Sequence, residues 1–389
     1  IHNDAEVVSK IVASQAHHKK IDGHAPGLQG KDLDTYVAAG VYSDHECATM
    51  EDALAKLQRG QFIMIREGTA ARNLEALAPL LTPQYAERCM FCTDDKHPSD
   101  LLEKGHIDYI AREAINKYGV DPIIAVKAAC HHASRYFLLN NRGAIAPGYL
   151  ADFAVIDNFK DFNVEMVFKK GVLYWNNGEL RDFEAPKIEE YLDKRAHDTF
   201  HVSTLTPDDF RDTRQRGVLG MVPGEIITTD NGYADHVDLE KDILKIAVVE
   251  RHKGTHHIGL GYIQGYGLKS GAVATSISHD SHNIIVVGTN SADMAFAANY
   301  IVEHHGGIVV VENGTVKGSV VLEIAGIMSD RPLTEVNDQL EAAKDAAFTL
   351  GVSRGIDPFM TLSFMALPVI PKLRITTRGV VDVDTQQYV

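Results

Sequence analysis

The sequence predicts an α/β protein: half of a (β/α)8 barrel, then a small β-domain, then an α+β domain. Three observations carry this expectation. Over residues 1–142, short apolar strands alternate with helical periodicity in the order α-β-α-β-α-β-α-β-α, the pattern of parallel β/α units. The chemically versatile side chains of this region fall just after strand ends, where such barrels build their sites. From residue 143 the texture changes to short alternating strands and turn glycines.

The elements follow in order. Val7, Val8, Ile11 and Val12 are spaced for a helix, and a short strand then ends near His24. "GKDLDTYVAAGV" reads as a helix with Asp32 in its first turn and Gly40 as C-cap. "YSD" is a strand stub before His45. Thr49 and Asp52 have the spacing of a capping box and open a helix that Gly60 ends. "FIMIREG" is a buried strand, "AARNLEALAPLL" a helix, and "RCMFCTDD" a strand ending in two aspartates. "HIDYIAREAINKYG" and "DPIIAVKAACHHASRYFLL" complete the half barrel as helices. Residues 143–183 are expected to form the small β-domain, 184–239 a charged linker, and 240–389 the α+β domain. The last contains the buried strands "ILKIAVVERH", "GAVATSIS" and "NIIVVGT", a helix near 291–304, and a hairpin at "ENGTV" with Asn-Gly at its tip.

Composition narrows the function. At 389 residues, 45% of them hydrophobic, the chain can bury two or three cores. Lys plus Arg number 38 against 53 Asp plus Glu, a net charge of −15, which argues against a nucleic-acid groove. No apolar run approaches the ~20 residues of a membrane span, and no secretory leader is legible. Four cysteines without a disulfide framework suit a reducing cytosol, hence a cytoplasmic protein. The single CxxC, Cys89 to Cys92, lacks the second pair a zinc knuckle needs. Residue 1 falls inside a segment already helical in pattern, which raises the expectation of a missing upstream portion.

His24, His45 and Asp94 each close a strand. Neutral imidazole and ionised carboxylate are the common ligands of a hydrolytic divalent metal, which acidifies a bound water. A carboxylate beside that water can relay its proton. Nineteen histidines must fall somewhere, but three such residues at strand ends favour metal binding. Asp95 could reach the same pocket as Asp94 from the strand-to-loop junction, or serve as a loop residue. Arg66 or Glu67 could line the pocket; a buried ion pair holding the strands together is the competing assignment. In "SISHDSHNIIVVG", His279, Asp280, Ser281, His282 and Asn283 form a polar cluster before a buried strand, suited to a turn, to a substrate site or to a second metal. The His131–His132 and His304–His305 pairs are read as structural.

The histidines and aspartate at strand ends, followed by "GAIAPGYLADFAVID" and "VEMVFKKGVLYWNNG", resemble the amidohydrolase superfamily. "DGHAPGLQGKDLDTYVAAG", "SDHECAT", "IREGTAARNLEAL", "FCTDDKHP", "HDSHNIIVVGTN" and "DPFMTLSFMALPVIPKLRITTRGVVDV" narrow the resemblance to the adenine deaminase family, over essentially the whole chain. That resemblance implies two divalent metal ions, Mn2+ or Fe2+, with His24, His45 and Asp94 as ligands. Activated water would attack C6 of adenine, Asp94 would relay the proton, and ammonia and hypoxanthine would leave. A role in purine salvage and a homo-oligomer are expected, and Asp95, Arg66, Glu67 and the 279–282 loop are the candidates for contacts to substrate. The family's HxH pair and bridging glutamate have no counterpart in residues 1–389, so the missing N-terminal half of the barrel is an expected partner. Two other readings stay open: an amidohydrolase acting on another cyclic amide, and an inactive remnant that binds a metal or a partner.

Overall fold

Parallel pairing of four short strands organises the first of two units, residues 1–185; the second spans 186–389. The computed structural model describes residues 4–69, 71–212, 214–222 and 226–389. The first unit runs α1 (Ala5–Ala16), β1 (Ile21–Gly23), α2 (Gly30–Ala38), β2 (Val41–Asp44), α3 (Met50–Gln58), β3 (Phe62–Arg66), α4 (Leu74–Leu77), β4 (Cys89–Cys92), α5 (Pro98–Glu103), α6 (Ile107–Asn116), α7 (Pro122–Val126) and α8 (His132–Tyr136). The strands lie in the order β1-β2-β3-β4, each pair parallel. The alternation read from the sequence is therefore real, and the described residues form an open four-stranded sheet.

Period two along the strands sorts their side chains. Ile63 and Ile65 of β3 and Phe91 of β4 enter a core with Leu74 and Leu77 of α4 and Ile110 and Ala114 of α6. The alternate residues face the other way: Ser43 of β2 pairs in register with Phe62, and Cys92 with Arg66. That second face carries the polar chemistry. Local signals hold the helices as expected. Asp4 caps α1, and the Thr49 side chain accepts from the Asp52 amide at the start of α3. The helix expected over 70–81 is shorter among the described residues: α4 has four residues and passes into a 3-10 turn over Ala78–Leu80. Pro79 has no N–H to continue an α-helical ladder. Between α7 and α8, Lys127–His131 form a π-turn, and the buried His132 that follows bonds the Cys89 carbonyl through Nδ1 at 2.8 Å.

An antiparallel four-stranded sheet closes this unit, with β5 (Phe153–Ile156), β6 (Val164–Lys169), β7 (Val172–Asn176) and β8 (Glu179–Leu180) in sequential order.

The second unit contains α9 (Glu190–His197), β9 (Arg216–Met221), β10 (Thr228–Ala234), β11 (Ile243–Val249), β12 (Ile258–Gln264), β13 (Ala272–Thr275), β14 (Ile284–Gly288), α10 (Ser291–Glu303), β15 (Gly307–Glu312), β16 (Thr315–Val321), α11 (Leu333–Thr349), α12 (Pro358–Met365), β17 (Leu373–Thr376), β18 (Gly379–Asp382) and β19 (Gln387–Tyr388). Eight strands form one sheet in the order β10-β9-β12-β11-β14-β13-β15-β16, and the last three strands form another. Both faces of the large sheet are covered. Leu244, Ile246 and Val248 of β11 pack with Leu340 and Ala343 of α11 and Phe359 of α12. Their neighbours Ala247 and Val249 pack with Met294 and Ala298 of α10. Burial on two faces explains why these strands read as continuous apolar runs. The "ENGTV" turn joins β15 to β16, with Asn313 at φ 53° and Gly314 at φ 67°, as a tight hairpin requires. One expectation is corrected: residues 184–239 are more than a linker, because β9 and β10 belong to the large sheet. β10 is an edge strand with mostly exposed residues, so it lacks the apolar alternation that would announce it. Among the described residues no helix is long and apolar enough to cross a membrane.

Candidate functional site

His24 and His45 come together. Their ring centroids are 5.8 Å apart, edge to face, one residue beyond the ends of adjacent strands β1 and β2. Gly23 makes this approach possible, since a Cβ there would lie 2.6 Å from the Tyr36 hydroxyl and 2.7 Å from the Ser43 carbonyl oxygen. The same hydroxyl accepts from the His24 amide at 3.0 Å.

The third member of the cluster is Glu46. One ligand atom each from His24, His45 and Glu46 lies within 4.8 Å of the other two. Glu46 Oε1 is 3.3 Å from both His24 Nδ1 and His45 Nε2. Two imidazoles and a carboxylate gathered this closely fit a first-row divalent ion, the imidazoles suiting zinc or iron and the carboxylate also manganese. His45 Nδ1 donates to Asp22 Oδ2 at 2.9 Å, which leaves Nε2 turned toward Glu46 and His24. A second hydrogen bond of this kind, from a ligating histidine to a carboxylate, is the usual support of metal-binding imidazoles. Asp22 is itself held: Ser43 Oγ donates to its Oδ1 at 2.6 Å, and Ser43 Oγ is 2.6 Å from the buried Tyr136 hydroxyl.

Arg66 joins two of the carboxylates on this face. Arg66 Nη2 donates to Glu46 Oε2 at 2.8 Å, and Nη1 to Asp94 Oδ2 at 2.7 Å. Burial works against ionising Glu46, but hydrogen bonds from His24, His45 and Arg66 outweigh it and hold the carboxyl well below its usual range. The Asp22 hydrogen bond, with that of Glu46, raises His45 to about 10. A metal would compete with that proton for the imidazole.

Asp94 stands with this group but not within the three-atom cluster. It is joined through Arg66, at a backbone φ of 56°, and its Oδ1 accepts from the Asp95 amide at 2.9 Å. Glu67 follows Arg66 and so points to the opposite side of β3, 3.9 Å from Arg72 Nε, where burial raises its carboxyl pKa. The second unit carries the remaining sequence candidates. There His279 and His282 rings are 5.5 Å apart, and His279 packs 5.1 Å from Phe364. His282 Nδ1 accepts from the Ser278 amide at 3.2 Å, Ser281 O accepts from His252 Nε2 at 2.6 Å, and Asp280 is exposed. Asp280 and Ser281 border a cavity of about 380 Å³ whose wall includes Leu367, Pro368, Ile375 and Thr376.

Sequence reasoning missed Glu46 and Asp22. The signal for Glu46 was its place directly after His45; for Asp22 it was a carboxylate two residues before His24, on the same face of β1.

Comparison with known proteins matches residues 2–174 to the amidohydrolase family and 225–387 to the adenine deaminase C-terminal domain. The adenine deaminase of Desulfatibacillum aliphaticivorans is 44% identical over 397 residues, covering all of this chain and 69% of that protein. That of Nitratidesulfovibrio vulgaris strain DP4 is 43% identical over 399 residues, covering 99% of this chain and 68% of the relative. That of Kosmotoga olearia is 42% identical over 407 residues, covering all of this chain and 68% of the relative. The chain thus spans about two thirds of their length. Matched from end to end by such relatives, and carrying both domain types, the chain belongs to the adenine deaminase family.

Proposed function

We propose that this chain supports hydrolytic deamination of adenine to hypoxanthine and ammonia when the other half of the barrel is supplied. The observation that carries the reading is the meeting of His24, His45 and Glu46 at the strand ends, with Arg66 and Asp94 beside them. His24 and His45 would hold a divalent metal, manganese or iron, and the other barrel half would supply the ligands of a second ion. Bound there, the metal supplies an acidified water as nucleophile. Asp22 keeps the proton of His45 on Nδ1 and so keeps Nε2 available as a ligand atom. Asp94 Oδ2 takes the proton from the attacking water and passes it to the departing amino group of adenine. Arg66 aims that oxygen and offsets the negative charge of Glu46 and Asp94. Asp95, directly after Asp94, would contact the purine ring. The test joins this chain to a barrel half bearing the HxH pair and glutamate, supplies Mn2+, and follows hypoxanthine formation from adenine. Asp94→Asn should lower turnover about 100-fold or more. Unchanged turnover in that variant, or none in the unmutated assembly, would overturn the reading.

A further inference from the structure

Beneath the two histidines lies a fully buried ion pair that the reaction itself does not use. Asp44, the last residue of β2, and Lys56, on α3, are both inaccessible to solvent, and Lys56 Nζ is 3.2 Å from Asp44 Oδ2. Asp44 sits in register with Ile63, so it points toward the helices, away from the face that carries His45. Its two oxygens accept from two different backbone amides. Oδ2 takes the amide of Ala25 at 3.0 Å, and Oδ1 that of Glu46 at 2.6 Å. These are the residues directly after His24 and His45. Lys56 completes the arrangement by donating to the Ala25 carbonyl at 2.7 Å. Both polar groups of residue 25 are therefore gripped, one by each member of the pair.

We propose that Asp44 and Lys56 are positioning residues that set the distance between His24 and His45 and so tune metal affinity. The proposal rests on the reading of those histidines as metal ligands. A merely structural ion pair would be indifferent to which backbone groups it touched. This one bonds the peptide units that follow both histidines, one of them on the loop after β1. The His24 ring is 40% exposed and meets Glu46 at 3.3 Å, so its placement depends on the backbone beneath it. Asp52 offers a built-in comparison. It pairs with the same ammonium at 3.1 Å and is nearly as buried, yet among the described residues its hydrogen bond to that loop is the long one from Gly27 N at 3.5 Å.

The experiment titrates Mn2+ into the full chain, reading free Mn2+ by electron paramagnetic resonance, and separately measures hydrogen exchange at the Ala25 amide without metal. Asp44→Asn can no longer accept from both amides. It should weaken Mn2+ binding about 10- to 100-fold and speed exchange at Ala25. Asp52→Asn should lower the melting temperature and leave both readouts close to wild type. Lys56→Gln should shift both in the direction of Asp44→Asn, and decides the matter if Asp44→Asn does not fold. Wild-type affinity and exchange in a folded Asp44 or Lys56 variant would overturn the proposal, as would equal loss in Asp52→Asn. Failure of wild-type chain to bind Mn2+ would instead sink the metal reading, while the Ala25 exchange arm still tests the grip.

Discussion

His45 Nδ1 donates to Asp22 Oδ2 across 2.9 Å, and the chain of contacts continues through Ser43 to the buried Tyr136 hydroxyl. The proton on Nδ1 is thereby held in place by residues from β1, β2 and α8. Asp22→Asn could present its amide nitrogen to Nδ1 and favour the wrong tautomer. Mn2+ affinity should fall about tenfold with little change in melting temperature. Titration calorimetry checks this, and unchanged affinity would remove Asp22 from the metal's support.

His24→Ala and His45→Ala should each remove about one metal equivalent from the assembled enzyme. Metal analysis after gel filtration measures it. Retention of full metal content in both variants would mean that the cluster is an ion-pair network instead.

Arg66 spans two carboxylates with its planar fork, reaching Glu46 at 2.8 Å and Asp94 at 2.7 Å. Arg66→Lys keeps the charge but cannot hold both acids at once. Turnover of the assembled enzyme should drop about tenfold, with KM changing less than kcat, because Asp94 loses its aim. A normal kcat would show that Asp94 needs no such guide.

His132 supplies a pH signature in the first unit. Burial lowers its pKa from the usual histidine value, the hydrogen bond to Cys89 O only partly opposing this. The unfolded chain then binds the proton more readily, so the stability linked to this group is complete above the unfolded value of about 6.5 and declines as pH falls below it. Chemical denaturation between pH 7.5 and 5 should show a steeper loss for wild type than for His132→Gln. Parallel curves would show that the histidine does not titrate differently on folding.

The 279–282 loop poses a choice between roles. His282 receives the Ser278 amide and His279 lies against Phe364, both contacts within the second unit. The motif leads to the expectation that His279→Ala or His282→Ala lowers turnover more than melting temperature. The reverse result, a lower melting temperature at normal turnover, would make the loop a structural turn.

The parts of this molecule that were legible in the sequence share one property: their signal is local. Strand-helix alternation, the Thr49 cap and the Asn313-Gly314 turn each depend on residues within a few positions of one another. His24 and His45 could be paired because adjacent parallel strands bring corresponding ends together. What stayed hidden depends on distant partners. Nothing near Lys56 announces that its ammonium will meet Asp44 and the Ala25 carbonyl, and Arg66 could not be given two acids from one strand. β9 and β10 escaped for a different reason. β9 contains two glycines, and β10 shows polar residues to solvent, so neither carries a clear periodicity.

The way side chains are apportioned along the four parallel strands has a consequence for how the protein tolerates variation. The residues proposed for chemistry sit at or beyond the C-terminal ends of the strands, while Ile63, Ile65 and Phe91 within them belong to the helix-packed core. A saturation library scored separately for soluble yield and for deaminase output should therefore split by position. Substitutions at His24, His45 and Glu46 should abolish output while sparing yield, and those at Ile63, Ile65 and Phe91 should abolish both. Asp44 and Lys56 should be the visible exceptions, buried like core yet failing first in output when the replacement preserves packing.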